Sequence, residues 1–99
     1  MARKLESAEL QTALARLKGW EVRDGKLART YRFRDFGDAF AFMTACALRI
    51  HALDHHPEWS NVYATVHVEL VTHSAHGITS RDVELANVME SIAGRFPPA

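Results

Sequence analysis

From residue 62 the chain alternates as a strand does. Val62, Ala64, Val66, Val68 and Leu70 fall on one side, and Tyr63, Thr65, His67 and Glu69 on the other. A period of two sends successive side chains to opposite faces of a sheet. This is the cleanest pattern in the sequence, and it calls for a sheet that one layer of helices can cover. Pro57 marks where the extended region opens, because its ring pushes His56 toward extended geometry. From Glu58 to Leu70 the region is long for one strand, most of which run about 3–10 residues. A bend or break is therefore expected near Tyr63 to Thr65.

The flanking segments supply the helices. Ser7 is placed to cap a first helix, with Glu9 favourable against its dipole; Leu10, Ala13, Leu14 and Leu17 then recur at helical spacing, and Gly19 is the expected stop. In "WEVRDGKLARTYRF" the Asp24-Gly25 pair reads as a hairpin turn. Trp20 and Val22 would line one strand, and Leu27, Tyr31 and Phe33 the other. From Asp35 the period becomes helical and carries two apolar stripes. Phe36, Phe40, Met43, Ala47 and Ile50 form one; Ala39, Phe42, Cys46 and Leu53 form the second. So wide an apolar surface exceeds what one small core needs, so one side is expected on the sheet and the other on a second copy of the chain. Thr79 with Asp82 resembles a capping box, Ile78 with Val83 a hydrophobic staple. Leu85, Ala86, Val88, Met89 and Ile92 give the buried face of that last helix, and "RFPPA" reads as a tail. The order is helix, hairpin, helix, long strand region, helix. It predicts an α+β fold, a four-stranded antiparallel sheet with helices packed on one face.

Residues 1–99 are expected to form a single domain, since 99 residues support one core and no more. Twelve Lys and Arg balance twelve Asp and Glu, which argues against direct nucleic-acid binding. The N-terminus has no apolar segment of the signal-peptide kind, and no apolar run approaches the roughly 20 residues of a membrane span. Cys46 alone permits no internal disulfide. A cytoplasmic location is the expectation.

Histidines are the chemical feature. Three of the six stand in "HALDHHPEW", at His51, His55 and His56, and His73 follows the long strand region. His51 and His55 have a spacing that zinc sites use, with His73 or Asp54 as conceivable third ligands, but no HExxH glutamate and no cysteine partner accompany them. No metal is expected. Proton transfer is the stronger reading, because histidine titrates near neutrality and a cluster can supply both an acid and a base. A pocket between a helix end and a strand end would gather His55, His56 and His73. His67, His76 and His51 read as surface residues, Asp82 as a cap, and Trp59 as core.

The run "LDHHPEWSNVY", then "VHVEL" and "THSAHGITSRDVELA", resembles the pterin-4a-carbinolamine dehydratase family, and "DFGDAFAFMTACAL" is similar to its central helix. The resemblance spans roughly residues 19 to 93. It implies loss of water from a 4a-hydroxytetrahydropterin to give a quinonoid dihydropterin, in tetrahydropterin recycling for aromatic amino-acid hydroxylases, without metal or organic cofactor. It implies that His55 and His73 are the acid/base pair and that His56 holds the pterin. Asp54, Val71, Thr72, His73 and Ser74 match substrate-contacting positions, some through the backbone. Trp20 matches a tryptophan after the family's first helix.

One departure stands out. Many relatives carry a glutamate where this chain has His51, which would repel a protonated His55 and move the pH profile. The expected partners are a pterin substrate and further copies of the chain, as homodimer or homotetramer through the central helix. The alternative function is a non-enzymatic, coactivator-type binding protein using the outer stripe of that helix, since animal relatives dimerise a homeodomain transcription factor.

Overall fold

The computed structural model describes residues 2–99. Helix α1 (Ser7–Leu14) leads into β1 (Glu21–Arg23) and β2 (Lys26–Arg32); α2 (Phe36–Leu53) follows, then β3 (Glu58–Val62), β4 (Thr65–Leu70) and α3 (Ser80–Ala93). The strands form one antiparallel sheet in the order β1-β2-β4-β3. The expected α+β fold is what forms.

The β1–β2 turn is the one the sequence called for. Asp24 and Gly25 both take positive φ, 52° and 75°, the pairing that a two-residue hairpin requires and that Asp-Gly supplies at little steric cost. β1 itself is short and exposed throughout. Trp20 just before it is buried, but Val22 is 43% exposed, because β1 is an edge strand with little covering it. The long region does break at Tyr63 (φ 49°), and the break is a complete reversal. Val62 pairs directly with Thr65, and directly opposed residues share a face. The tight turn therefore takes Val62 off the Val66 side, and it is 75% exposed instead of buried.

Leu27, Tyr31 and Phe33 from β2 and its end, with Val66, Val68 and Leu70 from β4, make the sheet's half of the core. Ala39, Phe42, Cys46 and Ile50 of α2 and Leu85, Ala86, Met89 and Ile92 of α3 make the other half. Each large apolar side chain so buried contributes roughly 1.5–3 kcal/mol. Phe33 and Phe42 pack at a tilt of 37° with centroids 4.9 Å apart, and Phe96, read from sequence as tail, meets Phe33 edge-on at 5.6 Å.

Two helix ends differ from expectation. Glu6, not Ser7, caps α1, because Glu6 and Glu9 exchange side-chain-to-backbone bonds as a capping box. The helix then ends at Leu14, well before Gly19; the chain turns there and sends Leu17 into the core. At the far end of α3, Glu90 accepts from Trp20 Nε1 (2.7 Å) and from the Tyr31 hydroxyl (2.8 Å). Burial, and then Glu90, push the Tyr31 phenol above its ordinary value. Trp20 thus serves the scaffold, through Glu90, which lies about 12 Å along α3 from Asp82 at 1.5 Å per residue.

α2 is 18 residues long with mean hydropathy 1.2, enough by length and composition to cross a bilayer. Here that apolarity has another use on one side, where Ala39, Phe42, Cys46 and Ile50 enter the core. The other side stays open: Phe36 is 46%, Phe40 52% and Leu48 73% exposed. The helix thus has an inner and an outer face, but the division is not quite the two stripes. Ile50, grouped by spacing with Phe36 and Phe40, is buried, and Leu48, in neither stripe, belongs to the outer face.

Candidate active site

The site begins where α2 stops. Asp54 caps the helix in the left-handed region (φ 52°), a conformation that Asp tolerates better than most side chains. The chain therefore leaves the helix axis before His55. Arg81 fixes that exit, donating from Nη2 to the Asp54 carbonyl at 2.6 Å. His51 and His55 consequently do not share a helix face, and the zinc-like spacing loses its geometry. Among the described residues no three His, Cys, Asp or Glu side chains gather as a metal site would require.

His55 turns inward and is 8% exposed. Its Nε2 lies 2.6 Å from Oδ1 of Asp82, which is fully buried. The other oxygen of Asp82 accepts from the Thr72 hydroxyl (2.9 Å) and from the Thr79 amide (2.8 Å). With the Thr72 proton committed to Asp82, the Thr79 hydroxyl donates to the Thr72 oxygen across 2.7 Å. Three groups thus converge on two oxygens, the bonding pattern of a carboxylate. Asp82 is the N3 residue of the α3 capping box, as its spacing predicted. The same side chain also orients His55, and the sequence reading missed that second role. Capping-box spacing locates Asp82 at a helix start but says nothing about what lies across from it.

His56 points the other way and is exposed. With His51, Ala47 and Ile50 of α2 and with Pro57 and Trp59 it lines a cleft of about 310 Å³. A second groove of about 200 Å³, lined by Phe40, Met43, Thr44, Ala47 and Trp59, continues it along the outer face of α2. His51 therefore faces the same space as His56, while His55 faces Asp82. Trp59, read as core, is half-buried and forms a wall of both hollows.

His73 opens a short 3-10 turn (His73–Ala75) after β4. Its side chain is 81% exposed, and its Nε2 lies 3.2 Å from Oε2 of Glu58. Lys26, and secondarily His73, hold the Glu58 carboxyl below the usual carboxylate range. Thr72 is wholly engaged, its hydroxyl as above and its backbone N–H and C=O with Gly77. It supports Asp82 and has nothing left to offer a ligand. Asp54, Ser74 and, in part, Val71 remain accessible.

The cleft does not contain the two histidines that the resemblance makes an acid/base pair: neither His55 nor His73 lines it, and Glu58, which His73 meets, points to the opposite face of the sheet from Trp59. His55 is the chain neighbour of His56, and His73 meets Glu58, which stands between Pro57 and Trp59. Asp82 ties His55 to Thr72, the residue before His73. Residues 54–59 and 72–82, distant in sequence, thereby form one constellation. Cys46 takes no part: burial raises its thiol to about 12, and so high a value makes it a poor nucleophile.

The family model for pterin 4 alpha carbinolamine dehydratase matches residues 3–92. A homologue named pterin-4-alpha-carbinolamine dehydratase from Rhodopseudomonas palustris strain HaA2 is 49% identical over 97% of both chains. One of the same name from Solibacter usitatus strain Ellin6076 is 47% identical over 94% of this chain and 98% of its own. A crystal structure of a transcriptional coactivator/pterin dehydratase from Brucella melitensis superposes with TM-score 0.89 at 45% identity, over 93% of this chain and 100% of that one. The chain belongs to the pterin-4a-carbinolamine dehydratase family, a family of hydro-lyases.

Proposed function

We propose that this protein dehydrates a 4a-hydroxytetrahydropterin to the quinonoid dihydropterin, as a step in tetrahydropterin recycling for aromatic amino-acid hydroxylases. Family membership supports the reaction. One observation supports the mechanism: the Nε2 of His55 is held by a buried carboxylate at 2.6 Å, which leaves Nδ1 for substrate. The carbon–oxygen bond at C4a breaks as the protonated member of a histidine pair gives its proton to the departing hydroxyl and the lone pair of the adjacent ring nitrogen pushes in. A second group takes the proton from that nitrogen, so the sum is loss of one water. His55 and His73 form this acid/base pair, and His56, lining the cleft with Trp59, holds the pterin. Asp54, Val71 and Ser74 offer further contacts at the rim, with Thr72 behind them. Such catalysis supplies about 10²–10⁴-fold, which suits a reaction that also proceeds unaided.

We place the protein in the cytoplasm, a reducing compartment that suits a lone buried thiol such as Cys46. It assembles as a homodimer or homotetramer through the outer face of α2, whose Phe36, Phe40 and Leu48 favour burial. The same face sustains the second reading, a coactivator-type scaffold in the sense of the Brucella protein's name.

Stopped-flow absorbance decay of freshly generated 4a-hydroxytetrahydropterin separates the two. Acceleration by the wild type, lost in His55→Ala and in His73→Ala, is the expected result. Decay no faster than in buffer would remove the enzymatic reading and leave the scaffold.

A further inference from the structure

We propose that Glu58, clamped by Lys26, is the positioning residue for His73: it holds Nε2 of that ring and leaves Nδ1 as the working nitrogen. The inference rests on the proposed role of His73 in dehydration and adds the groups that set its orientation.

The observation is a run of polar contacts on the open face of the sheet. Glu58 starts the edge strand β3, directly opposite Glu69 of β4. Two carboxylates in directly opposed positions repel each other. Lys26 of β2 resolves this by donating to Oε1 of Glu58 at 2.7 Å while standing 3.7 Å from Oε1 of Glu69. Glu69 in turn meets His67 Nε2 at 3.0 Å, and His67 Nδ1 meets Thr30 Oγ1 at 2.9 Å. With Oε1 taken by Lys26, Glu58 presents Oε2 to His73 at 3.2 Å. The charged groups around His73 are thus Glu58 in contact, with Lys26, Glu69 and His67 behind it.

In a neutral imidazole the hydrogen bond made by one nitrogen decides which of the two carries the proton. A carboxylate accepts, so Glu58 keeps the proton of His73 on Nε2. The arrangement repeats at the buried histidine, where Nε2 of His55 meets Asp82. In both members of the pair a carboxylate takes Nε2 and leaves Nδ1 free, one ring held by a buried carboxylate and the other by an exposed one. The base works as the neutral Nε2–H form, and the acid as the imidazolium, which gives up its Nδ1 proton. The exposed holder needs a cation to stay in place, and Lys26 is that cation.

Because His73 and Glu58 are exposed, the effect is modest. An exposed pair of this kind corresponds to about a three- to fivefold change in rate. Glu58→Ala is expected to lower kcat by that factor with KM unchanged. Glu58→Gln should not recover it, because Lys26 takes the one amide oxygen and the NH₂ then faces Nε2 of His73, moving the ring proton to Nδ1. Lys26→Met should act in the same direction, and the double variant should be no slower than Glu58→Ala alone, since Lys26 acts only through Glu58. ¹⁵N NMR of the ring should find Nε2–H in the wild type and a mixture of tautomers in Glu58→Ala. An unchanged kcat, an unchanged tautomer, or additive losses in the double variant would each overturn the proposal. If the wild type fails to dehydrate while the tautomer still shifts in Glu58→Ala, the dehydratase reading fails and the pairing of Glu58 with His73 stands.

Discussion

Asn in place of Asp82 is the sharpest perturbation this site offers, because it keeps shape and removes one hydrogen-bonding property. Asp82 is fully buried and serves His55 at 2.6 Å, Thr72 at 2.9 Å and the Thr79 amide at 2.8 Å. The amide oxygen of Asn can still accept from Thr72 and Thr79. Its NH₂ must then face Nε2 of His55, which can only accept, so the imidazole proton moves to Nδ1. The nitrogen offered to substrate changes from acceptor to donor. One charge-assisted bond is exchanged for a neutral one, a loss of about 1–2 kcal/mol. With a urea slope of about 1–3 kcal/mol/M, the midpoint falls by roughly 1 M and the slope stays unchanged. The catalytic loss is larger, since a reversed tautomer disables a proton carrier worth about 10²–10⁴-fold. Asp82→Ala goes further and removes the acceptor of three buried donors, His55, Thr72 and the Thr79 amide, at about 1–3 kcal/mol for each one left unsatisfied. Stopped-flow decay measured beside urea unfolding separates the two effects. Asp82→Asn that folds and dehydrates at the wild-type rate would refute the claim that this carboxylate sets the working nitrogen of His55.

Other expectations follow from separate parts of the molecule. Light scattering at micromolar concentration should return a multiple of the 11.1 kDa chain mass, and Phe40→Ser with Leu48→Gln should reduce it; a monomer mass for the wild type would sink the assembly proposal. Glu90→Ala leaves Trp20 Nε1 and the Tyr31 hydroxyl without their acceptor, at a cost of about 1–3 kcal/mol read by thermal unfolding, with no effect on KM. The carboxyls of Glu58 and Glu69 are both held below their ordinary value, by Lys26 and by His67 respectively. Whatever stability they add is complete above their unfolded value near about 4.3 and is lost as pH falls through the lower folded values. High salt should shrink that acid-limb difference, and urea midpoints from pH 6 to pH 2 at low and high salt would check it.

Much of the fold was legible because its signals are local. The Asp24-Gly25 turn, the Thr79/Asp82 capping box and the inner stripe of α2 each rest on residues within a few positions of one another. Where the reading slipped, a distant contact decided the outcome. Period-two counting carried Val62 to the buried side because it cannot register that two residues at a turn reverse the chain. Ser7 looked like the better cap until Glu6 and Glu9 formed a reciprocal pair. Phe96 lies in a segment with the composition of a tail, and only the exposed flank of Phe33 gives it a place.

The site divides in the same way. From the sequence alone, His55, His56 and His73 stand out as candidates, through a motif whose spacing needs no structure to be read. The sequence could not determine that Asp54 ends α2 in a left-handed turn, so that His51 and His56 share one cleft while His55 turns into the interior. Nor could it pair His55 with Asp82 or His73 with Glu58. Each pairing joins elements far apart in the chain, and its geometry exists only once the sheet register and the packing of α3 are fixed. Residue type and local spacing state which chemistry is available. Which nitrogen performs it is a question of direction, and directions between distant side chains are set by the tertiary fold.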